Sequence, residues 1–106
     1  MNTLQNQTLE NLKSRLTALY KDRLENLYLF GSQARGKADA ESDIDVLVVL
    51  KGDVDSNVEQ LRTLDIVADL SLENDVVISC LFVDTETYAH KQGPLMRNIR
   101  REGVAF

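Results

Sequence analysis

The sequence has very little cysteine, proline or tryptophan and no long apolar run. Of its 106 residues one is cysteine, Cys80, one is proline and none is tryptophan. A single cysteine excludes an intramolecular disulfide and favours a reducing compartment, and within the apolar stretch VVISCLFV it is expected to be a small buried side chain. No apolar run approaches the roughly 20 residues of a membrane-spanning helix, and the N-terminus has no apolar region of signal-peptide length. These absences predict a cytoplasmic protein with no membrane partner.

Positive charge is also scarce, because 12 lysines and arginines stand against 17 aspartates and glutamates, for a net charge of −5. Nonspecific binding to nucleic acid depends on clustered cations, so nucleic acid is a disfavoured partner. A small basic patch, Arg97, Arg100 and Arg101, is compatible with complementing a helix dipole or with contacting an acidic partner or RNA. His90, the only histidine, lies in a polar segment and is expected at the surface.

The hydrophobic pattern predicts one α/β domain that spans residues 1–106. With 43% hydrophobic residues the chain can bury one core, and it has no room for a second domain. Leucines at three- and four-residue steps predict an amphipathic helix over about residues 8–23, capped by Thr8, and Ser56 is expected to cap a second helix. The predicted apolar stripe of that second helix comprises Val58, Leu61, Leu64, Ala68 and Leu72.

Three stretches, LYLF, DIDVLVVL and VVISCLFV, are typical of β-strands. The last two are apolar on both faces, and the stronger of them, DIDVLVVL, is therefore expected at the centre of the sheet with both faces covered. The loop between the first two strands is short for a crossover helix, which favours an antiparallel pair and a small mixed sheet packed against helices. A final helix is predicted around Leu95 to Arg101, after the turn at Gly93 and Pro94 and before Gly103.

Two carboxylates stand at the head of the central strand. Asp43 and Asp45 are two residues apart, so on a strand their side chains leave the same face with Cα atoms roughly 6.6 Å apart. Two like charges held together without a counter-charge would raise one pKa and weaken the fold, so a bound divalent cation explains the pair better. An all-oxygen site with few protein ligands suits Mg²⁺, which shares its shell with water and substrate phosphates.

The preceding loop contains residues suited to holding phosphate. Gly31 allows a sharp turn or a close approach of the backbone, and Ser32 offers a hydroxyl and an N–H donor. Arg35 can add a charged bidentate donor, and Gly36 keeps the loop open for it. The sequence therefore predicts a phosphate-binding loop that faces a metal site.

The string GSQARGKADAESDIDVLVVL resembles the GS-x10-D-x-D signature of the polymerase-beta-like nucleotidyltransferases, and in particular its minimal nucleotidyltransferase subfamily. This resemblance implies the nucleotidyltransferase core fold over nearly the whole chain. It implies that Asp43 and Asp45 are catalytic and bind one or two Mg²⁺ ions, and that Gly31 and Ser32, with Arg35, hold the phosphates of a bound nucleotide. The implied reaction transfers a nucleoside monophosphate, AMP from ATP, to an acceptor hydroxyl and releases pyrophosphate.

Active members of that family usually carry a third carboxylate on the strand after the second long helix. Here that strand, VVISCLFV, contains no acid, while Asp75 precedes it and Asp84 follows it. Asp75 is the predicted third metal ligand if the strand register places it beside Asp43. Asp84 is the second candidate for this ligand; otherwise Ser79 or Leu81 occupies the position. The ordinary role of both acids is strand-end polarity, with Asp84 capping the segment that follows.

The resemblance also implies a partner protein. Similar minimal nucleotidyltransferases act as antitoxins of helical HEPN proteins, in some systems by adenylylating the toxin. The alternative is a module that kept the fold, lost turnover and neutralises its partner by binding alone. A small-molecule acceptor, as in the aminoglycoside nucleotidyltransferases, is disfavoured. Those enzymes have an additional domain that closes over the drug, and this sequence is expected to form a single domain.

Overall fold

The structure is a computed structural model that describes residues 3–31 and 43–106, with side chains described from residue 6 onward. Ser32, Arg35 and Gly36, predicted to bind or frame phosphate, lie outside these residues. No helix in the described ranges is long and apolar enough to cross a membrane. The elements are α1 (Thr3–Tyr20), a 3₁₀ turn (Lys21–Arg23), β1 (Leu24–Phe30), β2 (Ile44–Leu50), α2 (Ser56–Arg62), α3 (Leu64–Asn74), β3 (Ile78–Asp84), α4 (Thr85–His90), α5 (Pro94–Glu102) and β4 (Val104–Ala105).

The strands form one mixed sheet in the order β3-β2-β1-β4. β1 and β2 are antiparallel, and β2 is parallel to β3, which it reaches through α2 and α3. All residues of β2 from Val46 to Leu50 are buried, as expected of a central strand covered on both faces. The predicted mixed α/β fold, with its central second strand, is therefore confirmed.

Helices cover the two faces of this sheet with two apolar clusters. The larger cluster joins α1 and α3 to the face of β2 that carries Val46 and Val48. The smaller cluster joins α4 and α5 to the opposite face, which carries Leu47 and Val49. Because side chains alternate along a strand, Asp45 shares its face with Leu47 and points toward the α4–α5 layer.

The helix predicted from Ser56 is two helices that meet at Thr63. The Thr63 hydroxyl donates to the carbonyl of Glu59, and Thr63 has φ −101° and ψ 2°, which are not helical values. This break shifts the helical phase, so the predicted apolar stripe was wrong: Leu61 is 75% exposed and Leu72 is 83% exposed. The cap also differs from the prediction, because Asp55, not Ser56, accepts the backbone N–H groups of the first turn.

The first helix begins and ends earlier than predicted. It starts at Thr3, so Thr8 is a buried residue inside the helix and not its cap. The last residues of the predicted range form the 3₁₀ turn, in which Lys21 has φ 53°. The sequence analysis also missed α4 and β4, which are six and two residues long.

A buried carboxylate ties α1 to α2 at the end of β2 opposite Asp45. Glu59, only 2% exposed, accepts hydrogen bonds from the Tyr20 hydroxyl at 2.6 Å, Arg62 Nε at 2.9 Å and Arg23 Nη1 at 3.3 Å. Burial by itself would raise the pKa of Glu59, but these three hydrogen bonds together outweigh it and the pKa is lowered. Burial and the bond to Glu59 raise the pKa of Tyr20, so its hydroxyl stays protonated and remains a donor.

Candidate active site

The two predicted metal ligands lie at the start of the central strand. Asp43 is exposed and immediately precedes β2, and Asp45 is half-buried within it. In the sheet Asp45 is opposite Phe30 of β1 and Ser79 of β3. Partners in adjacent strands project from the same face, so Phe30 and Ser79 border the Asp45 carboxylate on its two sides.

The two carboxylates interact electrostatically. Burial raises the pKa of Asp45, and the negative charge of Asp43 raises it further. A divalent cation held between them would remove this repulsion, and carboxylate oxygen is the donor that Mg²⁺ prefers. The donor chemistry of this pair therefore fits the predicted metal.

Gly31 approaches Asp45 more closely than any other residue type could. Its φ is +75°, in the region that favours glycine, and a Cβ built on it would lie 2.6 Å from Oδ2 of Asp45. The backbone at Gly31 therefore lies directly against the Asp45 carboxylate. This is the close backbone approach that the sequence predicted for Gly31.

The structure does not bring a third acid to this pair. Within residues 3–31 and 43–106 no group of three or more His, Cys, Asp or Glu side chains is arranged to hold a metal ion. The register pairs Ile44 with Ile78, so Asp75 lies three residues before the start of the pairing. Asp75 ends α3 in a left-handed conformation, with φ 51°. As a third metal ligand it stays a prediction that this register does not support.

Ser79 occupies the sheet position next to Asp45 instead, one of the two alternatives left open by the sequence. Asp84 lies at the other end of β3, opposite Leu50, and its Oδ1 accepts the N–H of Thr87 at 2.6 Å. Hydrogen bonds from the backbone and side chain of Thr87 hold the pKa of Asp84 below its ordinary value. Asp84 is thus the cap of α4, as expected for the case in which it is not a ligand.

The remaining polar candidates are at the surface, in the core or in structural hydrogen bonds. His90 is exposed at the end of α4, and burial raises the pKa of the Cys80 thiol to about 12, so this cysteine is an inert buried side chain. Arg100 fastens α5 to α4, because its guanidinium donates to the carbonyls of Tyr88 at 2.6 Å and Lys91 at 2.8 Å. The sequence had suggested that the arginines complement a helix dipole or contact an acidic partner or RNA, and had not predicted that Arg100 joins two helices.

A cavity that the sequence analysis missed lies beside Gly31. One face of α5 and the end of β1 enclose about 210 Å³. The signal for it was present in the sequence, because the helix residues involved are spaced at three, four and seven positions and share one face. The lining residues are Phe30, Gly31, Leu95, Asn98, Ile99 and Glu102.

The sequence pattern of the nucleotidyltransferase domain family matches residues 9–104, which is nearly the whole chain. The protein belongs to the nucleotidyltransferase domain family. This match contains the entire site described above, including both carboxylates and the glycine turn. The resemblance noted from residues 31–50 is confirmed at the level of the family.

Two relatives of this nucleotidyltransferase come from Methanocaldococcus jannaschii, and both are named as candidate protein adenylyltransferases. One is 37% identical over 71 residues, which cover 67% of this chain and 71% of the relative. The other is 37% identical over 89 residues, which cover 83% of each protein. Both support assignment of this chain as a nucleotidyltransferase enzyme.

Solved structures with the same fold include toxin–antitoxin complexes. A chain of a toxin–antitoxin complex with AMP-PNP aligns with a TM-score of 0.62 and 21% identity, over 91% of this chain and 70% of that one. A chain from the complex of a tri-AMPylated Shewanella oneidensis HEPN toxin with its MNT antitoxin aligns with a TM-score of 0.51 and 17% identity, over 92% and 70%. At these identities the likeness establishes the nucleotidyltransferase fold.

Proposed function

We propose that this nucleotidyltransferase transfers AMP from ATP to a hydroxyl group of a partner protein, in a Mg²⁺-dependent reaction, and that the partner is a HEPN-type toxin. The observation that carries the proposal is the arrangement of Asp43, Asp45 and Gly31. Two interacting carboxylates stand at the head of a strand. Because Gly31 has no side chain, the space beside the Asp45 carboxylate stays open.

Asp43 and Asp45 would hold the metal. Asp45 is anchored within β2 between two neighbouring strands, whereas Asp43 is exposed and precedes the strand. One ligand is therefore fixed by the sheet and the other is free to adjust to the ion and to the nucleotide. When bound, Mg²⁺ would neutralise charge on the triphosphate and polarise the bond that breaks.

Gly31, Ser32 and Arg35 are proposed to hold the phosphates. Gly31 lies against the Asp45 carboxylate, so the donors that follow it in the sequence would start next to the metal ligands. Donors at this place would orient the triphosphate and stabilise its charge in the transition state. Ser32 and Arg35 keep this role as sequence predictions.

The proposed reaction exchanges one P–O bond for another. The acceptor hydroxyl oxygen attacks the α-phosphorus of ATP and forms a phosphodiester bond. The bond between the α-phosphorus and the bridging oxygen breaks, pyrophosphate leaves with its electron pair, and the hydroxyl proton passes to solvent. The protein forms no covalent bond in this reaction and contributes positioning and charge stabilisation. The role of its carboxylates is therefore to be held in the right geometry.

The choice of a protein acceptor is supported by the relatives. Both relatives from M. jannaschii are named for protein adenylyl transfer, and one structural neighbour contains a HEPN toxin that carries three AMP groups. The reaction would take place in the cytoplasm, where ATP is abundant and Cys80 stays reduced.

The second candidate is a module that neutralises its partner by contact alone. It is favoured by one observation, that Ser79 and not a carboxylate is the neighbour of Asp45 on β3. A site with two acids would bind metal more weakly than a site with three. This candidate predicts complex formation without any transfer.

The test is the intact mass of the proposed HEPN-type partner after incubation with ATP, Mg²⁺ and either wild type or the Asp43→Asn/Asp45→Asn variant. The proposal predicts a gain of one or more AMP units with wild type only. A stable complex with no mass gain would refute the enzymatic proposal and favour the binding module. Equal gains with wild type and variant would refute the assigned site.

A further inference from the structure

The cavity beside Gly31 has walls from two different elements. One face of α5 supplies Leu95, Asn98, Ile99 and Glu102, and the end of β1 supplies Phe30 and Gly31. Leu95 is 49% exposed although it is apolar, whereas Ile99 is buried against the sheet. The cavity thus exposes apolar surface that residues 3–31 and 43–106 leave uncovered.

This cavity shares a wall with the metal-binding carboxylates. Phe30 is the cross-strand partner of Asp45, so the two side chains leave the same face of the sheet. Gly31 contributes to the cavity and also lies against Oδ2 of Asp45. A ligand with phosphates at Gly31 and the two aspartates can therefore extend its other end into the cavity along one face of the sheet.

The chemistry of the lining suits a flat heterocycle. Phe30 and Leu95 offer apolar surface to the faces of a ring, with the buried Ile99 beneath them, and Asn98 and Glu102 lie where polar groups can meet its edge. Asn98 Oδ1 accepts from Arg101 Nη2 at 3.1 Å, and within the described part of the chain its amide nitrogen has no protein acceptor. Amide N–H donors match the ring nitrogens of a base, and enzymes commonly combine such edge contacts with apolar stacking.

We propose that this cavity binds the base of the nucleoside triphosphate, with α5 as the wall that reads its edge. The inference rests on the proposed function, because it assumes that the triphosphate lies at Gly31, Asp43 and Asp45. The cavity is open to solvent on one side and has a volume of about 210 Å³, which is enough space for a single heterocyclic base.

The experiment compares the binding of ATP and of inorganic tripolyphosphate, each with Mg²⁺, by calorimetry. Tripolyphosphate reports on the phosphate site alone, and ATP reports on both sites. The variants are Asn98→Leu, which removes the polar edge contact at similar volume, and Leu95→Ala, which removes apolar wall. Asn57→Leu and Leu61→Ala are matched controls, because they make the same changes at exposed positions of α2, on the other side of the sheet.

The proposal predicts that wild type binds ATP more tightly than tripolyphosphate. Each α5 variant should raise the Kd for ATP roughly threefold to tenfold, leave the Kd for tripolyphosphate unchanged and retain the melting temperature of wild type. The α2 controls should change neither constant. Equal affinity of wild type for both ligands would overturn the base site while leaving the proposed function intact.

Two further outcomes would also overturn the inference. If the α5 variants bind ATP normally but transfer AMP poorly to the HEPN protein, the cavity receives the acceptor and not the base. If wild type binds neither ATP nor tripolyphosphate, the proposed function fails and the base site fails with it. The tripolyphosphate measurement distinguishes these cases.

Discussion

The space that a side chain at Gly31 would need is occupied by the carboxylate of Asp45. Gly31 follows the last residue of β1, and Asp45 is the second residue of the neighbouring strand β2. A Cβ built on Gly31 would lie 2.6 Å from Oδ2 of Asp45. The turn that opens the predicted phosphate loop and a predicted metal ligand are therefore fixed relative to each other by the β1–β2 pairing.

Replacing Gly31 by alanine should inactivate the enzyme without unfolding it. The variant places a methyl group against Oδ2 of Asp45 and pays for a left-handed backbone, a cost of about 1–2 kcal/mol. Displacing a ligand by about 1 Å can lower a rate roughly 100-fold. Gly52→Ala is the matched control, because Gly52 has φ +83° but nothing within 4 Å of its Cβ position. Urea denaturation should show a similar loss in the free energy of unfolding for both variants. Only Gly31→Ala should lose AMP transfer. Equal AMP-transfer activities of the two variants would contradict the assigned contact.

Metal binding should be visible as thermal stabilisation that depends on Asp45. In the presence of a chelator, Asp45→Asn should melt at or above the temperature of wild type, because it removes a partly buried charge repelled by Asp43. Added Mg²⁺ should raise the melting temperature of wild type and not that of Asp45→Asn. Asp75→Asn should respond to Mg²⁺ as wild type does. Loss of the response in Asp75→Asn would instead make Asp75 a ligand.

Ser79 is the position at which a third carboxylate should strengthen the metal site. Ser79→Asp would place an acid beside Asp45 on the same face, where the register pairs the two residues. We expect this variant to bind Mn²⁺ more tightly than wild type, as measured by electron paramagnetic resonance titration. It should also transfer more AMP than wild type at low Mg²⁺ concentration. Ser79→Asn, similar in shape but neutral, should give neither gain. Equal Mn²⁺ affinities of Ser79→Asp and Ser79→Asn would show that residue 79 does not face the metal.

The buried Glu59 should contribute far more stability than an exposed carboxylate. Glu59→Gln weakens hydrogen bonds from Tyr20, Arg23 and Arg62, so we expect a loss of about 2–4 kcal/mol in the free energy of unfolding. Asp69→Asn, which breaks an exposed ion pair with Arg15 at 3.6 Å, should lose less than about 1 kcal/mol. Urea denaturation measures both, and similar losses would contradict the Glu59 network.

The same carboxylate should make stability depend on acid pH. The pKa of Glu59 is lowered from its ordinary value of 4.5, so the folded state binds this proton less readily than the unfolded chain does. The stabilisation by Glu59 is therefore fully present above pH 4.5, and it is lost as the pH falls through the lowered pKa of the folded protein. The stability difference between wild type and Glu59→Gln should shrink over that range, and a difference independent of pH would contradict the prediction.

The sequence predicted the sheet well because its signals are local. Strand β2 is apolar on both faces, which requires a central position, and the short loop before it requires an antiparallel neighbour. The spacing of Asp43 and Asp45 put both on one face without any knowledge of the tertiary structure. Gly31 was predicted as a close approach, although the atom it approaches, Oδ2 of Asp45, is defined only by the strand pairing.

The errors arose where tertiary contacts override the local pattern. The chain leaves the helical range at Thr63, where φ is −101° and ψ is 2°, a change of phase that a periodic stripe of leucines cannot reveal. No local signal marks Glu59 for burial, because its partners Tyr20 and Arg23 are 39 and 36 residues away. The position of Asp75 relative to Asp43 depends on the β2–β3 register, which no local signal specifies.

The most direct measurement is the fate of the label when the HEPN protein is incubated with this enzyme, Mg²⁺ and ATP radiolabelled at either the α or the γ phosphate. Cleavage between the α and β phosphates predicts that the α label becomes bound to the HEPN protein and the γ label is released as pyrophosphate. Both outcomes should require Asp43 and Asp45. Transfer of the γ label, or release of pyrophosphate without protein labelling, would contradict adenylyl transfer to a protein by this site.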